Sequence, residues 1–169
     1  MTPIKVVVNG VLGKMGLQVL ATVDGERDTQ PVGGVDISAE NGCMSLPDGS
    51  GTIPISTSLR DVLDGADVVV DFSGADGALE VFAMMEEEGI APNIVTMNTL
   101  LDACARAGRL VKAVEILEGL RANPKLQPDR ITYSTLVKGF CLKGDVQRAL
   151  KLMETMRTDG LNPDAVIYN

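Results

Sequence analysis

Ile4-Lys5-Val6-Val7-Val8-Asn9-Gly10-Val11-Leu12-Gly13-Lys14-Met15-Gly16 decides how the first half of the chain folds. The first six residues are mostly apolar and β-branched, the pattern of a strand covered on both faces in a parallel sheet. Glycines follow at once. Leu12, Met15, Val19, Leu20 and Val23 then recur at helical spacing until Asp24-Gly25 interrupts the pattern. A second strand, Pro31 to Val35, ends at Asp36. This order sets a glycine-rich turn between a strand and a helix N-terminus, where free backbone N–H groups and the helix dipole favour a phosphate. A Cβ in that turn would hold a pyrophosphate away from the backbone.

The glycine spacing is G-x-x-G-x-x-G, and Asp36 stands 20 residues beyond Gly16, at the strand end from which a carboxylate reaches an adenosine ribose hydroxyl. Two readings stand: a dinucleotide loop built by Gly10, Gly13, Lys14, Met15, Gly16 and Asp36, or an ordinary tight turn with Asp36 capping the strand end. Ile53-Pro54-Ile55, a short helix from Leu59 to Leu63, and a strand from Ala66 to Phe72 continue the alternation. Asn41 to Gly51, rich in Gly, Ser and Pro, reads as a loop.

The second half repeats itself. Ala91-Pro92-Asn93, Gln127-Pro128-Asp129 and Asn162-Pro163-Asp164 recur at spacings of 36 and 35 residues, as do Val95 to Leu100, Ile131 to Leu136 and the fragment Val166 to Asn169. Between them, Ala107-Gly108-Arg109 and Lys143-Gly144-Asp145 each end one apolar-periodic helix and start another. Each unit is therefore a helical hairpin. Leu100, Leu101, Cys104, Ala113, Ile116, Leu117 and Leu120 are its expected buried faces; Leu136, Val137, Phe140, Ala149, Leu150, Leu152, Met153 and Met156 are those of the next. A single hairpin cannot bury both faces, so neighbours must stack.

Composition narrows the chemistry. The 169 residues contain no histidine, which removes the commonest general base and metal ligand. No metal site is expected. Cys43, Cys104 and Cys141 are at no metal-like spacing and read as small buried or half-buried thiols. The net charge of −8 is uneven: residues 1–75 carry 4 basic and 10 acidic side chains, a net of −6, whereas residues 94–164 carry 11 basic and 8 acidic, a net of +3. No signal peptide and no apolar run near the roughly 18 residues of a membrane span is evident. A cytoplasmic protein is expected, or an organellar one whose transit peptide has been removed.

Val8 to Gly16, Gly34-Val35-Asp36 and Val70-Asp71-Phe72-Ser73 together resemble the N-terminal part of dihydrodipicolinate reductase, over about residues 3–73. The resemblance implies a Rossmann-like sheet and reduction of a cyclic lysine-pathway intermediate with NADH or NADPH. It assigns Gly10, Gly13, Lys14, Met15 and Gly16 to the pyrophosphate and Asp36 to the ribose. Ile37 follows Asp36 where an arginine would favour a 2′-phosphate, which points to NADH. The family's nicotinamide-side Gly-Thr segment and its substrate domain with paired histidines are missing, so no catalysis is expected.

The period and the Pro-Asp, Thr-Tyr-Ser and Gly-Asp punctuation of the second half resemble pentatricopeptide repeats, whose solenoids read single-stranded RNA one base per repeat. Tetratricopeptide repeats, which bind proteins, are the near alternative. The resemblance implies that Asn98 with Asp129 reads uracil and Ser134 with Asp164 reads a purine. It also implies that Val95, Ile131 and Val166 sandwich the bases, and that Arg106 and Lys143 meet phosphates. Asn98 and Ser134 also fit as plain polar residues of a helix start.

The expected fold is thus α/β plus all-α, a truncated Rossmann-like parallel sheet (1–75) followed by an α-solenoid of helical hairpins. The latter comprises a half repeat (76–93), repeats at 94–129 and 130–164, and a fragment (165–169). The leading function is single-stranded RNA binding. The alternatives are an NAD(P)H-binding reductase fragment, and a scaffold that binds protein or itself through a sheet edge or the solenoid ends.

Overall fold

A computed structural model describes residues 2–163, so Asp164, Val166 and the fragment 165–169 lie outside the described residues. The chain divides into two compact units, Met1–Val81 and Phe82–Asn169, and the division falls within a helix. In the first unit β1 (Ile4–Asn9), α1 (Lys14–Gly25), β2 (Thr29–Val35), β3 (Gly42–Ser45), β4 (Thr52–Ser56), a 3-10 turn (Leu59–Asp61) and β5 (Val68–Asp71) precede α2 (Ala75–Glu87). The sheet order is β3-β4-β2-β1-β5, parallel except for β3. β1 is an interior strand, paired with β2 on one side and β5 on the other, and its Val6, Val7 and Val8 are all buried. Val6, Val8, Val11, Leu20, Ile53 and Ile55 form one core cluster.

Three expectations need correction here. The stretch Asn41 to Gly51 contains a strand, because Gly42 to Ser45 pairs antiparallel with Ser45 opposite Thr52 and Gly42 opposite Ile55. Of the expected apolar stripe only Leu20 is fully buried; Leu12, in the turn before α1, and Met15, in its first turn, are exposed, because Gly16 and Leu20, four residues apart, take the buried side of the helix. Cys43 is also exposed, on the edge strand β3.

The second unit consists of hairpins. α3 (Ile94–Arg106) pairs with α4 (Leu110–Ala122), and α5 (Arg130–Leu142) pairs with α6 (Val146–Thr158). Gly108 and Gly144 take φ of +71° and +74° at the two hairpin turns, a left-handed conformation that side-chain-bearing residues resist. α5 packs against both α3 and α4, which joins the two hairpins. The expected buried faces are present with one exception. Leu150 is exposed, because Ala149, Leu152, Met153 and Met156 make the buried stripe at helical spacing and Leu150 lies about 100° off it. Cys141 is exposed for the same reason, one step past Phe140; Cys104 is buried as expected.

The C-terminal ends of α4, α5's first turn and α6 are tied by a polar cluster. Arg121 donates from Nε and Nη2 to both oxygens of Asp159, at 2.9 and 3.0 Å, and the buried Tyr133 hydroxyl donates to the same carboxylate. The Arg121 guanidinium, against burial, holds the Asp159 carboxyl below its ordinary range; burial and then Asp159 push the Tyr133 phenol up.

Candidate functional site

The first candidate site is the turn between β1 and α1. Gly10 leaves β1 with its N–H donated to Val35 O at 2.7 Å, as Val11 N–H is at 3.0 Å, so the turn is pinned to the end of β2. A Cβ on Gly10 would lie 2.6 Å from Phe72 O, and one on Gly16 only 2.0 Å from Gly10 O. Glycine is therefore required at both by the close approach of backbones. Gly13 is the N-cap of α1 and offers no side-chain cap. The amides of Lys14, Met15 and Gly16 open the helix without an intrahelical partner, the arrangement that suits an anion.

Beside the turn lies a cavity of about 630 Å³ whose lining includes Gly10, Gly13, Asp36, Ser38, Phe72 and Glu80. Of the sequence-derived residues Gly10, Gly13 and Asp36 line it; Lys14, Met15 and Gly16 do not. Asp36 is fastened to the turn, its Oδ2 accepting from Leu12 N–H at 3.1 Å and its Oδ1 from Ser38 N–H at 3.0 Å. Glu80 accepts from the Ser58 hydroxyl at 3.2 Å and Leu59 N–H at 3.1 Å, closing the far side. The buried Asn9 donates to Ser73 Oγ at 3.4 Å, joining the ends of β1 and β5. Sequence reading missed Asn9, Ser38 and Glu80; Asn9, the polar end of an apolar strand, was the one with a visible signal. Among the described residues no group of three or more His, Cys, Asp or Glu is placed to hold a metal ion.

The second candidate site is the junction of α3 with the start of α5. Asn98 and Asp129, 31 residues apart, meet: Asn98 Nδ2 donates to Asp129 Oδ1 at 3.1 Å. Asp129 is also the N-cap of α5, in a complete capping box with Thr132. Burial alone would raise the Asp129 carboxyl, but hydrogen bonds from the Thr132 backbone and hydroxyl and from Asn98 outweigh it and hold the group below its ordinary range. Val95 and Ile131 sit in the first turns of α3 and α5 at 67% and 61% exposure, where nothing in their own unit buries them.

Ser134 is half-buried and its hydroxyl donates back to Ile131 O at 3.1 Å; its expected partner Asp164 lies outside the described residues. Arg106 is 80% exposed at the end of α3, paired with Asp102 at 2.7 Å. That places it eight residues, or about 12 Å of helix axis, from Asn98. Lys143 caps the end of α5, and its ammonium lies beside Gly108, where an added Cβ would come within 2.8 Å of Nζ. Sequence reading missed Thr132, whose side chain is fully buried against this pair.

With these geometries described, similarity to known proteins falls into the same two parts. A family described as dihydrodipicolinate reductase, N-terminus, matches residues 4–103, and the PPR repeat family matches residues 92–142 and 128–169. The helix α2 thus falls within the reductase match and ahead of the repeat match. A 4-hydroxy-tetrahydrodipicolinate reductase of Dehalococcoides mccartyi is 54% identical over 81 residues, 47% of this chain and 31% of the relative. A pentatricopeptide repeat-containing protein of Arabidopsis thaliana, named as chloroplastic, is 34% identical over 92 residues, 54% of this chain and 18% of the relative. The chain therefore spans about a third of the length of such reductases and under a fifth of that repeat protein. Among solved structures, the pentatricopeptide repeat protein PPR10 in complex with an 18-nt psaJ RNA element superposes with a TM-score of 0.53 at 34% identity. It covers 56% of this chain and 14% of that one. The same protein from maize gives 0.52 at 31% identity, with the same coverage.

Proposed function

This chain belongs to the dihydrodipicolinate reductase N-terminal family in its first part and carries PPR-family repeats in its second, and from that premise we propose that it binds single-stranded RNA through α3 and α5. The observation that carries this reading is the Asn98–Asp129 pair, brought together from 31 residues apart beside two exposed aliphatic side chains, Val95 and Ile131. Small polar groups flanked by apolar ones can meet a Watson–Crick edge while the base is sandwiched. The solved relative that carries the same repeat was crystallised with RNA. In this reading Asn98 with Asp129 takes uracil, Ser134 with Asp164 takes a purine, and Arg106 and Lys143 approach phosphates, with the functional boundary between residues 75 and 76.

Two repeats bind weakly. At about 1–3 kcal/mol per stacked base, a Kd on the order of 0.1–10 mM is expected for a short oligonucleotide. Fluorescence anisotropy with a labelled uridine decamer at low salt tests it: affinity should fall steeply as salt rises, and Asn98→Ala should weaken binding further. Equal binding by the parent and Asn98→Ala at every salt concentration would refute it.

A second reading, favoured by the uncapped glycine-built start of α1, is that the first part binds NADH or NADPH, with NADH preferred because Ile37 follows Asp36. Ligand that binds only the folded state must raise a thermal midpoint. NADH should therefore raise it in the parent and not in Gly13→Val, whose side chain would crowd Gly10 O, 3.2 Å from even a Cβ. No catalytic step belongs to this reading, since the chain has no histidine to donate a proton as the reductase family does. Self-association is proposed through β5, a sheet-edge strand whose Val68 is exposed, with a cytoplasmic or organellar setting. Among the described residues no helix is long and apolar enough to cross a membrane.

A further inference from the structure

Thr132 does more than cap its own helix. Its hydroxyl lies 2.7 Å from Asn98 Oδ1 and 2.9 Å from Asp129 Oδ1, and accepts from Asp129 N–H at 3.0 Å. A hydroxyl has one proton to give. Asp129 Oδ1 already accepts from Thr132 N–H at 2.9 Å and from Asn98 Nδ2 at 3.1 Å, whereas Asn98 Oδ1 is the nearer acceptor. The proton therefore goes to Asn98, and the bonds close into a ring. Asp129 N–H donates to Thr132 Oγ1, Thr132 Oγ1–H to Asn98 Oδ1, and Asn98 Nδ2–H to Asp129 Oδ1.

The ring fixes which end of the Asn98 amide faces which way. A flipped amide would set its carbonyl oxygen against the Asp129 carboxylate, two acceptors with no proton between them, and would force the Thr132 hydroxyl to turn its proton from Asn98 to the already shared Asp129 Oδ1, 2.9 Å away. Buried arrangements of that kind are costly. Held in the observed orientation, Asn98 keeps one N–H and one carbonyl lone pair uncommitted beside the Asp129 carboxylate, which also takes a backbone N–H from Ile131. One donor beside one acceptor, in fixed order, is what distinguishes one base edge from another.

We propose that Thr132, a residue of the second repeat, is the positioning residue that sets the donor–acceptor order of Asn98, so that the first repeat's base is read only with the second repeat's help. This rests on the RNA-binding reading above. The repeat position of Thr132 is held by Ile167 in the next unit, a side chain with no hydroxyl. Base discrimination by this chain is therefore concentrated at the Asn98–Asp129 step and is weak at the Ser134–Asp164 step.

The test uses the full chain with Thr132→Val, which removes the hydroxyl at nearly constant shape, and Thr132→Ser, which keeps it and removes the methyl. The first readout needs no RNA: the Asn98 side-chain amide in an 15N-labelled sample, identified by its loss in Asn98→Ala. One of its two protons should be protected from solvent exchange in the parent and in Thr132→Ser, and not in Thr132→Val. The second is the ratio of affinities for uridine and cytidine decamers, which should fall about fivefold toward unity in Thr132→Val and hold in Thr132→Ser. A merely structural Thr132 would lower both affinities together and leave the ratio alone. Should Thr132→Val fail to fold, Thr132→Ser decides alone, because loss of the protected proton or of the ratio with the hydroxyl still present overturns the proposal. An unchanged protected proton in folded Thr132→Val overturns it as well. A protected Asn98 amide in a parent that shows no preference between the decamers would instead refute base reading at this face, and the recognition role of Thr132 with it.

Discussion

Helices α1 and α5 begin in opposite ways. The first residue before α1 is Gly13, which offers no side chain, and the turn leading to it is held by backbone bonds to Val35 and by Asp36 from outside. The residue before α5 is Asp129, whose carboxylate and the Thr132 hydroxyl close a full capping box and reach on to Asn98 in α3. One start leaves its amides without a side-chain cap; the other satisfies its amides with Asp129 and Thr132 and ties both to Asn98. Where a sequence places glycine at a helix start, recognition is carried by the backbone and depends on nothing bulky being present. Where it places Asp and Thr, recognition is carried by side chains whose geometry must be fixed by neighbours. The two units therefore fail differently when mutated.

The largest effect is expected at the glycine-built start. Gly16→Val forces side-chain atoms into Gly10, where even a Cβ lies 2.0 Å from the carbonyl oxygen, and should destabilise the first unit by about 3 kcal/mol. It should also abolish any rise in midpoint with NADH, while the helix-dominated transition of the second unit stays in place. If the NADH response survives, the backbone account of this turn is broken.

Next in size is the Arg121–Asp159–Tyr133 cluster, which separates the stability of the second unit from its recognition face. Asp159→Asn should cost about 1.5 kcal/mol in a thermal melt at neutral pH and leave RNA affinity unchanged. The sign of the pH dependence follows from the shifts. Asp159 is lowered when folded, so its contribution is complete above its unfolded pKa, about 3.9, and is lost as pH falls through the lower folded value. Tyr133 is raised when folded, so its contribution is complete below about 10 and is lost as pH rises through the higher folded value. The gap between parent and Asp159→Asn should be constant from about pH 5 to 9, begin to narrow below about pH 4 and close as pH falls through the lower folded value. A gap that does not narrow at all on acidification below about pH 4 would contradict the charge-assisted bonding.

Asp129→Ala sharpens the comparison at the capped start. It removes an N-cap, worth about 1 kcal/mol, and releases the Asn98 amide, so stability and base preference should fall together. Loss of stability with base preference intact would reduce Asp129 to a cap. The smallest effect is expected from Arg106→Ala. Its pair with Asp102 is exposed and contributes only about 0.3 kcal/mol, yet the slope of log affinity against log salt should decrease by about one if Arg106 meets a phosphate. An unchanged slope would remove Arg106 from the RNA face.

How far the molecule was legible depends on how local each signal is. β1, the glycine turn, α1 and the hairpin helices follow from apolar periodicity and glycine punctuation, which act within a few residues. β3 was unreadable because Gly42 to Ser45 has loop composition and becomes a strand only by pairing with β4. Leu150 was misjudged because an apolar residue one step off a helical stripe looks like part of it until the neighbouring helix is placed, and the exposure of Cys141 was hidden because a cysteine's spacing says nothing of which helix face it occupies. The pairing of Asn98 with Asp129 was legible only through the resemblance to pentatricopeptide repeats, which implied it; the period alone placed the two residues in one unit. Thr132 was not, because a Thr three residues after an Asp reads as a capping box, and its reach to Asn98 exists only once α3 and α5 are packed. Glu80 escaped for the same reason: its bonds to Ser58 and Leu59 join residues more than 20 apart in sequence, beside a cavity that the sequence does not draw.

The central claim is that two separate sites of opposite construction share this chain. The most direct test is one amide spectrum of the 15N-labelled full chain, titrated first with NADH and then with a uridine decamer. The account predicts that NADH shifts Gly10, Gly13 and Asp36 and leaves Asn98, Asp129 and Ile131 alone, and that the decamer does the reverse. Movement of the same residues by both ligands, or binding of the decamer with Asn98 and Ile131 unmoved, would contradict it.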